Sequence, residues 1–159
     1  MNKAILLDRD GVVIQERGAY NYLPEHVSIV EGIEKFMQTY RDKGFEFIII
    51  SNQGGIERGY YEHSHVKELH RIIAGHLASY GIFFRDWFYC PHHDKVSKCL
   101  CRKPGSLMIE KALAKHRLDL KNSLFIGDKD TDVEAGKKAG VHTLRITPND
   151  DLNKYYLGI

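Results

Sequence analysis

The segment AILLDRDGVV, residues 4–13, is an unbroken apolar run, Ala4 to Leu7, that stops on two aspartates, Asp8 and Asp10. A short continuous apolar run of this kind reads as a strand buried on both faces. In an extended chain, residues two apart point to the same side, so both carboxylates face one place at the carboxyl end of a core strand. Two like charges held there need a cation to offset their repulsion.

Further short apolar, β-branched or aromatic runs predict strands at 45–50, 87–89, 124–126 and 141–146. Helical spacing is clearest from Ser64 to Tyr80, where Val66, Leu69, Ile73, Leu77 and Tyr80 recur every three or four positions. The same spacing predicts helices over about 31–43, 106–116 and 130–139. Gly44, Gly81 and Gly140 each follow a predicted helix and precede a strand, where a left-handed residue turns the chain back. Alternating β and α elements with short connections give an α/β fold. The expectation is a three-layer α/β/α, Rossmann-like sheet of mainly parallel strands in one domain spanning 1–159, with ligands bound beyond the strands' carboxyl ends.

The 159 residues carry 23 basic and 21 acidic side chains, a formal charge of +2, with 43% hydrophobic residues. That balance suits one globular core and disfavours a general electrostatic grip on nucleic acid or a membrane surface. Ala4 to Leu7 is too short for a signal-peptide core and no run approaches a membrane span, so a cytoplasmic protein is expected. With no large unexplained apolar face, a monomer is expected. His63, His65, His70 and His76 suit a solvated helix face, and Tyr155 and Tyr156 suit packing.

The other strand ends carry matching chemistry. Asp128 in FIGDKDTD follows the 124–126 strand, and three acidic donors (Asp8, Asp10, Asp128) describe a hard-cation site suited to Mg²⁺. FIIISNQ delivers Ser51 and Asn52 after the second strand, while Arg102, Lys103 and Lys129 bring positive charge. A metal, a hydroxyl, an amide and ammonium groups around two aspartates make a phosphate site.

The three cysteines cluster in CPHHDKVSKCLC. Cys90, Cys99 and Cys101 with one imidazole, His92 or His93, form a closed tetrahedral set of the kind that holds structural Zn²⁺ and leaves no position open for chemistry.

The order Asp8-x-Asp10-Gly11-Val12, Ser51-Asn52, Lys103 and Gly127-Asp128 with Asp132 resembles the four signature motifs of haloacid dehalogenase (HAD) superfamily phosphatases. The resemblance implies Asp8 as the nucleophile that forms an aspartyl-phosphate and Asp10 as the acid and base. It implies Ser51 and Lys103 around the transferring phosphoryl group, and Mg²⁺ held by Asp8, Asp128 and the backbone carbonyl of Asp10. Asp132 matches the second acid of the last motif and reads as a helix-start carboxylate. Phosphatases of the histidinol-phosphate and heptose-bisphosphate group carry a similar Cys-x-His and Cys-x-Cys loop, which implies His92 as the fourth zinc ligand. The zinc would brace the loop that presents Arg102 and Lys103.

Neither interval between motifs can hold a separate cap domain, so a capless enzyme is expected, its specificity set by loops 15–28, 53–62 and 91–101. SNQGGIERGYY is similar to the Asn-Gln-x-Gly-Ile-x-Arg-Gly segment of D-glycero-D-manno-heptose 1,7-bisphosphate phosphatases. That resemblance implies a small sugar bisphosphate as substrate, a role in lipopolysaccharide precursor synthesis, and Asn52, Gln53, Arg58, Arg102 and Lys129 as substrate contacts. Arg58 suits bidentate capture of the distal phosphate. Histidinol phosphate is the competing substrate, and a non-catalytic phosphosugar-binding module the competing class.

Overall fold

The computed structural model describes all residues, 1–159. Five strands, β1 (Ala4–Leu7), β2 (Glu46–Asn52), β3 (Phe84–Cys90), β4 (Leu124–Gly127) and β5 (His142–Arg145), form one sheet in the order β3-β2-β1-β4-β5. Every pairing is parallel. Helices α1 (Ile33–Asp42), α2 (His63–Ala78), α3 (Leu107–His116) and α4 (Asp130–Ala139) make the crossovers.

β1 lies in the middle, with all four residues wholly buried. Its alternation splits the core in two. Ile5 and Leu7 pack with Ile33, Phe36 and Met37 of α1 and Ile73 and Leu77 of α2. Ala4 and Leu6 face the other way, against Met108, Ile109 and Ala112 of α3 and Ala135 of α4. This is the expected three-layer sandwich. Truncating a buried leucine such as Leu6 to alanine costs about 2–5 kcal/mol.

The chain runs outward from β1 through β2 to β3, then returns to the other side of β1 with β4 and β5. The switch in direction falls between β1 and β4, which is where ligands enter open α/β sheets. Asp8 follows β1 and Asp128 follows β4 at that crevice. Gly11 has φ +86°, and a Cβ there would collide with the Asp128 carboxylate, so the turn after β1 closes down only with glycine.

β1 and α4 have the expected bounds, whereas β2 and β3 are longer than their apolar runs. β2 carries Ser51 and Asn52 into the ladder by pairing them with Tyr89 and Cys90. His70 departs from expectation: it is buried, with its ring stacked on Trp87 at 4.2 Å. Tyr155 packs against the core, but Tyr156 is 93% exposed. No helix is long and apolar enough to cross a membrane.

Candidate active site

Asp8, Asp128 and Asp132 converge at the β1/β4 crevice, with carboxylate oxygens within 4.8 Å of one another and all three residues buried. Lys103 is buried among them. Its Nζ lies 3.0 Å from Asp8 Oδ1 and 2.7 Å from Asp132 Oδ1, and donates to the Ile50 carbonyl at 2.8 Å. Asp132 Oδ2 accepts the N–H groups of Asp128 and Lys129 at 3.1 and 3.0 Å, the geometry of a helix-start carboxylate at α4.

One lysine does not balance three buried carboxylates. Burial, only partly offset by Lys103 and aggravated by Asp132, Asp128 and Asp10, pushes the Asp8 carboxyl up to about 8. Burial also raises Asp128, whose two carboxylate oxygens are buried without any hydrogen-bond partner. Oxygen donors left orphaned beside a carboxyl with a raised pKa fit a hard divalent cation such as Mg²⁺.

Asp10 has a different environment. Arg9 donates through Nε to Oδ2 (3.1 Å) and through Nη2 to Oδ1 (3.2 Å), Asn21 Nδ2 donates to Oδ1 (2.7 Å), and Gln53 Nε2 donates to Oδ2 (3.1 Å). Burial opposes its charge, but the Arg9 guanidinium and these hydrogen bonds hold the carboxyl below the usual range. Arg9 is wholly buried, and neither it nor Asn21 stands out in the sequence as a site residue.

Ser51 is fully buried, and its Oγ accepts from Gln53 Nε2 at 2.8 Å, while Gln53 Oε1 accepts from Tyr61 at 2.7 Å. Asn52 is bonded through both ends of its amide to the Lys103 backbone. The amides of Asn52 and Gln53 are thus engaged with the protein and build the frame that holds Lys103, Ser51 and Asp10, while both residues also line the cavity where substrate contacts were expected of them.

A cavity of about 1230 Å³ opens over this centre, lined by Asp8, Asp10, Lys103, Arg102, Lys129 and Arg58 among others. Arg58, an exposed residue of the lining, donates to the Tyr20 hydroxyl at 3.1 Å and lies over the Tyr60 ring at 5.0 Å. Lys129 Nζ is 3.7 Å from Glu16, and Arg102 Nη1 donates to the His92 carbonyl at 3.0 Å.

The loop after β3 gathers Cys90, His92, Cys99 and Cys101. A tetrahedron built on about 2.3 Å metal–sulfur bonds has S···S edges of about 3.8 Å and S···N edges of about 3.5 Å. Cys90 Sγ lies 3.7 Å from Cys99 Sγ and 3.4 Å from His92 Nδ1, and His92 Nδ1 lies 3.3 Å from Cys101 Sγ. The Cys90–Cys101 edge is tighter, at 3.0 Å. The set fits a four-coordinate metal. His93 is turned away, its Nδ1 accepting the Lys95 N–H at 3.1 Å.

Fold and strand-end chemistry together define a HAD-type phosphatase. The HAD-hyrolase-like family (Hydrolase_like) matches residues 100–150. The chain is 40% identical over 151 residues to the D-glycero-alpha-D-manno-heptose-1,7-bisphosphate 7-phosphatase of Photorhabdus laumondii, covering 87% of this chain and 79% of that protein. It is 33% identical over 147 residues to the D-glycero-beta-D-manno-heptose-1,7-bisphosphate 7-phosphatase of Haemophilus ducreyi, covering 89% and 80%. Its fold matches the crystal structure of D,D-heptose 1,7-bisphosphate phosphatase from B. bronchiseptica complexed with magnesium and phosphate, with TM-score 0.84, 28% identity and coverage of 89% and 78%. The chain belongs to the D-glycero-D-manno-heptose-1,7-bisphosphate 7-phosphatase family of HAD-like enzymes.

Proposed function

We propose that this phosphatase removes the 7-phosphate of D-glycero-D-manno-heptose 1,7-bisphosphate through an aspartyl-phosphate on Asp8. The observation that carries the reading is one cavity lined by both Asp8 and Arg58, together with Arg102, Lys103 and Lys129, which offers the several cationic groups that a substrate with two phosphates needs. Both relatives described above are named for this substrate, as opposite anomers.

Asp8 attacks phosphorus while Asp10, held charged by Arg9, Asn21 and Gln53 until the phosphate dianion enters the cavity and draws a proton onto it, gives that proton to the departing sugar oxygen. Asp10 then takes a proton from the water that attacks the aspartyl-phosphate, which restores Asp8 and releases phosphate. Lys103, held between Asp8 and Asp132, neutralises phosphoryl charge and orients the nucleophile. Ser51 orients the phosphoryl oxygens, and Arg102 and Lys129 attract the dianion. Mg²⁺ would be held by Asp8, Asp128 and the Asp10 carbonyl and would supply positive charge to offset the repulsion between a carboxylate nucleophile and a phosphate dianion. Zn²⁺ on Cys90, His92, Cys99 and Cys101 braces the loop leading into Arg102 and Lys103, a structural task. The layered unit, acting as a monomeric single domain in the cytoplasm, contains all of this machinery.

The test is kcat/KM for both heptose bisphosphate anomers and for histidinol phosphate, with Asp8→Asn as blank. A preference for the bisphosphate of about a hundredfold, some 3 kcal/mol, is expected. Preference for histidinol phosphate would overturn the substrate reading, and no hydrolysis of any of the three above the blank would overturn it as well.

A further inference from the structure

We infer that Asn21, on the 15–28 loop, is a positioning residue for Asp10 and thereby controls how well the leaving group is protonated. The inference rests on the reading of Asp10 as acid and base given above.

Asn21 is 3% exposed, and every polar atom of its side chain has a partner. Its Oδ1 accepts from Arg17 Nε at 2.9 Å, and its Nδ2 donates to the Gln15 carbonyl at 3.0 Å and to Asp10 Oδ1 at 2.7 Å. Only one orientation of the amide suits these partners, because the guanidinium offers only donors and the carbonyl and carboxylate only acceptors. Arg17 and Gln15 therefore aim the Asn21 N–H at Asp10. The Asn21 carbonyl also accepts from Arg9 Nη2 at 3.0 Å, which fixes the guanidinium that clamps the same carboxylate.

Arg9 is Asp10's neighbour in the chain and moves with it, whereas Gln53 approaches from β2 and reaches Oδ2 alone. Asn21 is the one group from a remote segment that holds Oδ1. Without its side chain, Oδ1 keeps only the Arg9 Nη2 contact at 3.2 Å, the carboxylate is held less firmly on that side, and the proton is delivered off line to the departing oxygen. Misplacement of a reacting group by about 1 Å costs up to about a hundredfold in rate. Loop 15–28 thus shapes the chemical step as well as the pocket wall.

The reaction itself supplies the discriminating test. In the first half, the Asp8 oxygen–phosphorus bond forms, the phosphorus–ester oxygen bond breaks, and the proton passes from Asp10 to that oxygen. An alkoxide leaves only if protonated, whereas p-nitrophenolate leaves without help. Comparing kcat/KM for glycerol 2-phosphate and p-nitrophenyl phosphate with Mg²⁺ present isolates this step. For Asn21→Leu we expect a loss of about tenfold on the alkyl ester and less than about twofold on the aryl ester. Equal losses on both esters, or no loss, would overturn the inference, since a general disturbance of the phosphate pocket moves both alike. Asp10→Asn in the same pair of assays separates the two readings. A split there without one in Asn21→Leu sinks the role of Asn21 alone, and no split in Asp10→Asn sinks the acid assignment and this inference together. Should Asn21→Leu lose its far-UV circular dichroism, Asn21→Ser, whose hydroxyl is too short to reach Asp10, carries the same comparison.

Discussion

Asn52 and Lys103, separated by 51 positions in the chain, are joined by two hydrogen bonds: Asn52 Oδ1 accepts the Lys103 N–H at 3.0 Å, and Asn52 Nδ2 donates to the Lys103 carbonyl at 3.0 Å. The end of β2 thereby fixes the backbone of the residue that pairs with Asp8. Asn52→Ala leaves a partly buried N–H and C=O without partners, at a cost of about 1–3 kcal/mol. We expect a lower urea midpoint and a fall in kcat of more than about tenfold, because Lys103 Nζ loses its register with Asp8. An unchanged kcat would show that the metal loop alone positions Lys103.

The orphaned Asp128 oxygens and the crowded Asp8 predict a metal-dependent melting temperature. After chelation, adding Mg²⁺ to about a hundred times its Kd should stabilise the protein by about 2.7 kcal/mol, seen as a rise in Tm. Asp128→Ala should abolish that response. A Tm rise of equal size in the variant would move the cation elsewhere.

His92 and His93 are neighbours with different tasks. His92→Ala should lose the bound zinc measured by elemental analysis and lower kcat/KM, because the loop ahead of Arg102 loosens. His93→Ala should keep its zinc, since its ring faces Lys95 and Asp94. Zinc loss in both variants alike would mean that the cluster geometry is not decisive.

His70 makes stability depend on pH. Burial, reinforced by Arg9 and only partly opposed by Asp10, lowers its pKa from 6.5 to about 3. The folded protein keeps it neutral while the unfolded chain protonates near 6.5, so this contribution is complete above pH 6.5 and lost as pH falls towards 3. At pH 5 the loss is about 2 kcal/mol. Denaturant melts of wild type and His70→Phe at pH 7.5 and pH 5 measure it; the variant should lose less stability between the two.

The sequence revealed the sheet through its apolar runs and placed Asp8 and Asp128 at strand ends, because burial on both faces and charge at a strand terminus leave local marks. The third acid gathered with them is Asp132 of α4, while the Asp10 carboxylate turns to Arg9, Asn21 and Gln53. Less local features were harder to read. The edge strand β3 includes Arg85 and Asp86, which break the apolar run; Asp86 is satisfied by Lys115 at 2.7 Å and His116 at 2.8 Å, contacts made only after folding. His70 was legible in retrospect, four positions after Val66 and three before Ile73 on the buried stripe of α2, but its polar ring suggested solvent. Arg9 and Asn21 had no signal at all. An arginine between aspartates and an asparagine in a loop carry no local mark of burial, and their burial against Asp10 exists only in the assembled crevice.

Lys103 is tied on one side to the end of β2 and lies two residues after the last cysteine of the metal cluster. The chain from Pro91 to Leu100 contains two of the cluster residues, His92 and Cys99, and is pinned further by Glu57, whose carboxylate accepts from the His93 N–H and the Ser97 hydroxyl, while Lys103 lies outside it. Residues such as Lys98 and Leu100 on that stretch line the cavity without contributing to the carboxylate centre. Retargeting the enzyme to a differently shaped phosphate ester is thus a matter of re-lettering positions such as Lys98 and Leu100 between the fixed cluster residues, leaving the carboxylate centre beneath them untouched.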